Sequence, residues 1–191
     1  MPSYITIDMN YQQYQQLFDD ILSSKNLQPP YNDSAYFNYT KLNRSRMSRW
    51  DKQAQLNEQL VAQIIRVSAL QHWVIITEPW CGDAAHVVPF LIKLAACNPL
   101  ITYEIQLRDQ PPFLIDLYLT NGSKSIPKLI VRNESGQDIF HWGPRPAGAQ
   151  QVMNKFKAAG ADFEATKIAL QNWYNEDKGA ELMQELSSFY R

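Results

Sequence analysis

The sequence predicts an α/β three-layer sandwich with a mixed central sheet, extended by extra helices at its N-terminal and C-terminal ends, and three observations predict it. From Trp73 onward the pattern runs strand, helix, strand, helix, strand, strand, helix. Val74-Ile75-Ile76-Thr77 is a short β-branched run, the mark of a strand buried on both faces. Toward both chain ends the apolar residues recur at helical spacing instead.

Each element can be justified in order. Tyr11, Tyr14, Phe18, Ile21 and Leu22 fall on one helical face, with Asp8 as the expected N-cap. Residues 25–43 are polar and aromatic, and Pro29-Pro30 breaks any helix there. A second helix is expected over residues 48–70, burying Leu60, Val61, Ile64 and Ile65. Pro79 ends the first strand, and Cys81-Gly82-Asp83 opens a helix carrying Val87, Val88, Leu91, Ile92 and Leu94. Ile101, Tyr103, Ile105 and Leu107 alternate as a strand does. Residues 112–119 read as a short helix closed by the turn Asn121-Gly122. Residues 126–131 form a strand, Glu134-Ser135-Gly136 a turn, and Asp138–Trp142 the hairpin partner. A helix over residues 147–159 follows, then two tail helices, the last with Leu182, Met183, Leu186, Phe189 and Tyr190 on one stripe. These tail helices read as packing elements. A right-handed crossover makes the first two strands parallel.

The 191 residues fit one compact unit: a helical extension over 1–54 packed on a core domain over 55–160, and a second extension over 161–191. Eighteen basic residues against nineteen acidic ones leave a net charge of −1. That balance gives no footprint for nucleic acid or an anionic membrane, although Arg44, Arg46 and Arg49 make a local basic cluster. No secretory signal is visible at the start, and no run approaches the roughly 20 apolar residues of a membrane span. Two cysteines cannot build a disulfide scaffold, which points to the reducing cytoplasm. With three histidines and no clustered cysteines there is no metal-site spacing, and no glycine-rich phosphate loop is present.

The chemistry centres on Cys81. A cysteine at a helix N-terminus faces unpaired N–H groups and a partial positive charge, both favouring thiolate. Such thiols can fall from a pKa of about 8.5 into the range of about 3.5–7.5. Asp83 opposes this by repelling negative charge. The alternative is an inert buried thiol, the ordinary state of a free cysteine.

Trp80-Cys81-Gly82-Asp83-Ala84 resembles the active-site turn of the thioredoxin superfamily, normally W-C-x-x-C, and Ser125-Ile126-Pro127 resembles its cis-proline loop. Leu42-Asn43-Arg44-Ser45-Arg46-Met47-Ser48-Arg49, Thr77-Glu78-Pro79, Leu119-Thr120-Asn121-Gly122, Lys128-Leu129-Ile130 and Trp142-Gly143-Pro144-Arg145-Pro146 extend the likeness to a single-cysteine W-C-G-D-A branch with added N-terminal helices. The resemblance implies a thioredoxin-like fold, a cis Pro127 opposite Cys81, and an Ile126 backbone able to pair with an extended substrate.

Two departures from the superfamily pattern shape the expected function. The position of the resolving cysteine holds Ala84, and that of the buried acid six residues before Cys81 holds Ile75. Cys97, 16 residues along, would sit about 24 Å up the helix and about 160° around it. A disulfide needs Cα atoms within about 7 Å, so an internal dithiol cycle is excluded. The expected function is a single-cysteine thiol–disulfide oxidoreductase or redox protein. Cys81 would form a mixed disulfide with a protein or low-molecular-weight thiol, and an external thiol such as glutathione would release it, with no bound cofactor. The alternative is a non-catalytic binding module using the cis-proline groove. Glu78 and Arg145 are accessory candidates, each with a blander reading: a solvated loop carboxylate and a surface salt bridge. His86 reads as a surface or packing residue before a proton shuttle. The oligomeric state stays open.

Overall fold

Four strands form the centre of the protein in the computed structural model, which describes residues 9–190: β1 (Gln71–Thr77), β2 (Ile101–Leu107), β3 (Lys128–Asn133) and β4 (Asp138–Trp142). Their order across the sheet is β2-β1-β3-β4. β1 runs parallel to β2, with Ile75 opposite Ile105, and antiparallel to β3, with Ile75 opposite Leu129. β4 returns antiparallel on β3, with an irregularity between Val131 and Arg132. Because β1 is central, Trp73 through Thr77 are all buried. This explains why the run shows no alternation: neither face of a covered central strand meets water.

Between β1 and β2 runs helix α4 (Gly82–Ala95), whose residues from Ala84 through Leu91 are all buried. Helix α1 (Tyr11–Ser23) presses Tyr14 and Phe18 into the core in an edge-to-face pair with ring centroids 5.1 Å apart. Its cap is Asn10, in a capping box with Gln13; Asp8 lies outside the described residues.

The N-terminal region corrects the sequence reading twice. Helix α2 (Ser34–Gln53) occupies much of the stretch expected to be irregular, starting at an Asp33 cap that accepts from the Ala35 and Tyr36 N–H groups. Its buried face carries Thr40 and Asn43 beside Met47 and Trp50, so apolar periodicity misses it. Both polar side chains are satisfied: Thr40 Oγ1 donates to the Tyr36 carbonyl and Asn43 Nδ2 to the Pro79 carbonyl. The helix expected over 48–70 is two helices. α2 stops at Gln53, and α3 (Glu58–Ile65) restarts at Asn57, whose side chain accepts from the Leu60 N–H. Residues 112–119 yield only a 3-10 turn at Leu114–Leu117.

After the hairpin come α5 (Ala147–Ala158), α6 (Phe163–Asp177) and α7 (Ala180–Ser187). α5 begins at Pro146, which has no capping side chain. α7 supplies the missing acceptors: Glu185 takes the Ala147 N–H and Glu181 the Gly148 N–H, at 2.7 and 2.9 Å. The C-terminal helices are thereby tied to the core. Phe189, expected on the buried stripe with Leu182, Met183 and Leu186, is exposed, though it stacks on Phe140. Among the described residues no helix is long and apolar enough to cross a membrane.

Candidate functional site

Cys81 is the N-cap of α4, held there because Pro79 ends the β1 extension and Gly82 begins the helix. Its sulfur packs under the opposite loop, donating to the Ile126 carbonyl at 3.3 Å, and only 7% of the residue is exposed. Burial pushes the thiol up to about 12, and the Asp83 charge pushes the same way. The N–H groups of Ala84 and Asp83 and the Arg145 guanidinium work against this and lose. The helix-end field is present as the sequence implies, but desolvation outweighs it.

Asp83 is not a loose flanking carboxylate. Its Oδ2 accepts from Arg145 Nε and a terminal guanidinium nitrogen at 3.1 and 2.5 Å, and its Oδ1 accepts from the Tyr174 hydroxyl at 2.8 Å. Side-chain exposures of 14% and 11% make the Arg145–Asp83 contact a largely buried ion pair, in place of the surface salt bridge expected of Arg145. Through it three parts of the chain meet: the head of α4, the loop after β4, and α6.

The loop facing Cys81 carries a cis Ile126–Pro127 peptide. Lys128, 2% exposed, reaches from β3 to two neighbouring loops, donating to Thr120 Oγ1 at 2.7 Å and the Gly143 carbonyl at 3.0 Å. Burial lowers its pKa. Gly143 sits at φ +114, and a Cβ there would meet the Pro127 carbonyl oxygen at 2.3 Å. Only glycine lets the Trp142-Gly143-Pro144 loop pass so close behind the proline. Sequence reasoning missed Lys128 as an organiser; its signal was a lysine opening an otherwise apolar strand.

A cavity of about 550 Å³ lies above this floor. Trp80, Cys81, Gly82, Asp83, Ile126 and Arg145 line it; Ala84 and Pro127 are buried behind the lining and Glu78 faces elsewhere. Its walls come from the two helical regions. α2 contributes Tyr36, Tyr39 and Arg46, and α6 contributes Phe163, Lys167, Leu170 and Tyr174. Trp80 joins floor to wall, edge-to-face with Tyr36 at 5.7 Å and beneath the Arg108 guanidinium at 4.5 Å. The tail helix α6 therefore shapes the site as well as packing. Its signal was the mixed row Phe163, Lys167, Leu170, Tyr174 on one helical face.

The remaining candidates lie outside the cavity chemistry or at its edge. Glu78, expected to be solvated, is 5% exposed and accepts from the Asp109 N–H at 2.9 Å; burial raises its pKa to about 7. His86 receives a hydrogen bond from Trp50 Nε1 at Nδ1 (2.9 Å), so its own proton sits on Nε2, donated to Gln171 Oε1 at 3.1 Å. Stacked on Tyr174 at 4.4 Å, with burial lowering its pKa to about 3, it is a neutral packing residue. Cys97 is a free thiol just past the far end of α4, bonded to the Lys93 carbonyl. Among the described residues no group of three His, Cys, Asp or Glu side chains could hold a metal ion.

With this geometry in view, a family model described as thioredoxin matches residues 30–159, from ahead of α2 to the end of α5. Two solved structures share the fold over nearly the whole chain. A Pseudomonas aeruginosa protein of unknown function, PA1234, aligns at 17% identity over 94% of this chain and 99% of its own, with a TM-score of 0.51. An HIV epitope-scaffold aligns at 14% identity over 96% and 92%, with a TM-score of 0.54. No curated protein matches the chain.

Proposed function

The chain belongs to the thioredoxin family, and from there we propose that it is a single-cysteine binding module, in which a partner lodges in the cavity over Cys81 and meets a protonated thiol. One observation carries this reading: the sulfur lies buried in the cavity floor with its proton engaged by the Ile126 carbonyl. Desolvation argues against a standing nucleophile. A thiol pushed up to about 12 by burial holds far less thiolate at neutral pH than a free cysteine. Its greater intrinsic nucleophilicity returns only part of that loss, so exchange is slower than at an exposed cysteine. Nor does the W-C-G-D-A turn supply a second thiol to release a mixed disulfide, since Ala84 stands at that position. The reading requires no bound cofactor, and two free cysteines suit a reducing compartment such as the cytoplasm.

A second reading is favoured by the sulfur lining the cavity and by Arg145 and the Ala84 N–H opposing its desolvation. In that case Cys81 thiolate attacks one sulfur of a mixed disulfide and the other sulfur leaves as thiolate. An external thiol such as glutathione then attacks the new bond and frees Cys81. Thiolate absorbance against pH, with alkylation of Cys81 followed by mass spectrometry, separates the two. A midpoint above about 10 and alkylation slower than free cysteine's supports the binding module. Exchange with glutathione disulfide faster than free cysteine's, lost in Cys81→Ser, overturns it in favour of redox chemistry.

A further inference from the structure

Resting on the binding-module reading, we infer that the occupant is a small organic anion, with its acidic group at Arg46 and an apolar, preferentially aromatic body between Tyr36, Tyr39 and Phe163. A volume of about 550 Å³ suits a compact small molecule. Charge gives the sign. Among the described residues, Arg46, Arg108, Lys124, Arg145 and Lys167 line the cavity, against one carboxylate, Asp83. Four of these cations have acidic partners: Asp109 for Arg108, Asp116 for Lys124, Asp83 for Arg145 and Glu164 for Lys167. Arg46 does not. It donates to the neutral Asn43 Oδ1 at 2.9 Å and lies 5.7 Å from the Tyr39 ring centre. Asp83 adds only an attraction at a distance, since its two carboxylate oxygens are engaged by Arg145 and Tyr174.

A neighbouring arginine sharpens the point. Arg49, one helical turn along α2, bonds to neutral Asn175 Oδ1, and its buried Nε has no hydrogen-bond partner among the described residues. Arg46 and Arg49 share the lining of a smaller adjoining cavity of about 370 Å³. Two guanidinium groups thus line one small cavity, and among the described residues no carboxylate contacts either. Burial, the largest influence, and the charge of Arg49 work against the Arg46 cation and outweigh the support it has from Tyr39 and Asp83. An anion at this point offsets the repulsion and offers the forked acceptor that guanidinium groups prefer. The apolar half has its own surface: Tyr36 and Phe163 stand 42% and 74% exposed at the rim. Lys167 is held over the Tyr39 and Phe163 rings at 4.0 and 4.4 Å, adding positive field beside them.

The test uses the full chain and two fluorescent probes of one shape, anilinonaphthalene sulfonate and its neutral parent phenylnaphthylamine. The sulfonate is expected to bind about tenfold more tightly, to lose that advantage at about 0.5 M salt, and to slow alkylation of Cys81. Arg46→Gln brings its affinity down to that of the neutral probe and Arg46→Lys restores part of the difference, with near-ultraviolet circular dichroism confirming that both variants are folded. Equal binding of the two probes, or sulfonate binding indifferent to salt and to Arg46→Gln, overturns the inference. If both probes shield Cys81 equally, the cavity still binds ligands and only the charge assignment fails. If neither shields it, the binding-module reading falls and this inference with it.

Discussion

The floor of the cavity and its walls are built by different means. The floor is backbone: the α4 head, the Ile126–Pro127 peptide and the Gly143 loop are locked by β1–β3 pairing, by Lys128 and by a gap too small for a Cβ. The walls are side chains projecting from α2 and α6, which touch the floor through Trp80, Asn43 and the Asp83–Arg145–Tyr174 bonds. A floor of that kind tolerates almost no change, whereas a wall can vary its chemistry without threatening the fold. Position of the thiol is thus set by the first region and choice of occupant by the second.

The difference can be broken from the floor upward, beginning with the largest effect. Gly143→Ala must move either the Pro127 carbonyl or its own loop from φ +114, costing about 4 kcal/mol in urea unfolding. Asp83→Asn leaves the Arg145 cation largely buried without its counter-ion, at a cost of about 3 kcal/mol. The same change removes a repulsion from Cys81, so its thiolate titration shifts to lower pH and alkylation speeds up.

Glu78→Gln sharpens the picture through pH. The native carboxyl, near 7, is raised above its usual 4.5, so its ionisation costs stability as pH rises from 4.5 to 7. His86 acts oppositely: depressed from 6.5 to about 3, it contributes stability above 6.5 that is lost as pH falls toward 3. Between 4.5 and 6.5 the two slopes offset one another in the native chain. Glu78→Gln gains about 2–3 kcal/mol at about pH 8 and uncovers the His86 slope, a loss approaching 1.4 kcal/mol per pH unit below about 6. Chemical denaturation at several pH values reads both.

Away from the floor the effects shrink. Asn57→Ala, which uncaps α3, costs about 1 kcal/mol. Phe163→Ala, at a side chain mostly in solvent, changes stability by less than about 0.5 kcal/mol while weakening binding of the sulfonate probe several-fold. A large destabilisation by Phe163→Ala would erase the distinction between floor and wall.

That distinction also governs how much the sequence revealed. β2 and β4 fall on Ile101–Leu107 and Asp138–Trp142 as their patterns indicate, and β1 and α4 flank Cys81 as expected, because a buried strand and an apolar helix advertise themselves locally. α2 did not, since its buried face carries Thr40, bonded back within the helix, and Asn43, bonded to the distant Pro79 carbonyl. The α2–α3 break has no proline or glycine to mark it, only the cap at Asn57. For the site, Trp80, Cys81 and Asp83 were legible as a motif, but the burial of Cys81 and Glu78 was not, because desolvation comes from residues distant in the chain. Arg145 was legible as a residue and not as a partner: Asp83 is 62 positions away.

The bond from Cys81 to the Ile126 carbonyl spans 45 residues, and it carries a consequence for synthesis. Cys81 leaves the ribosome before the loop that covers its sulfur has been made. At about 5–20 residues per second the emerging thiol spends roughly 2–9 s uncovered. During that interval its reactivity is that of an ordinary open cysteine. Stalled chains ending before residue 126 should therefore be alkylated at Cys81 far faster than the finished protein, which makes arrival of the proline loop the event that silences the sulfur.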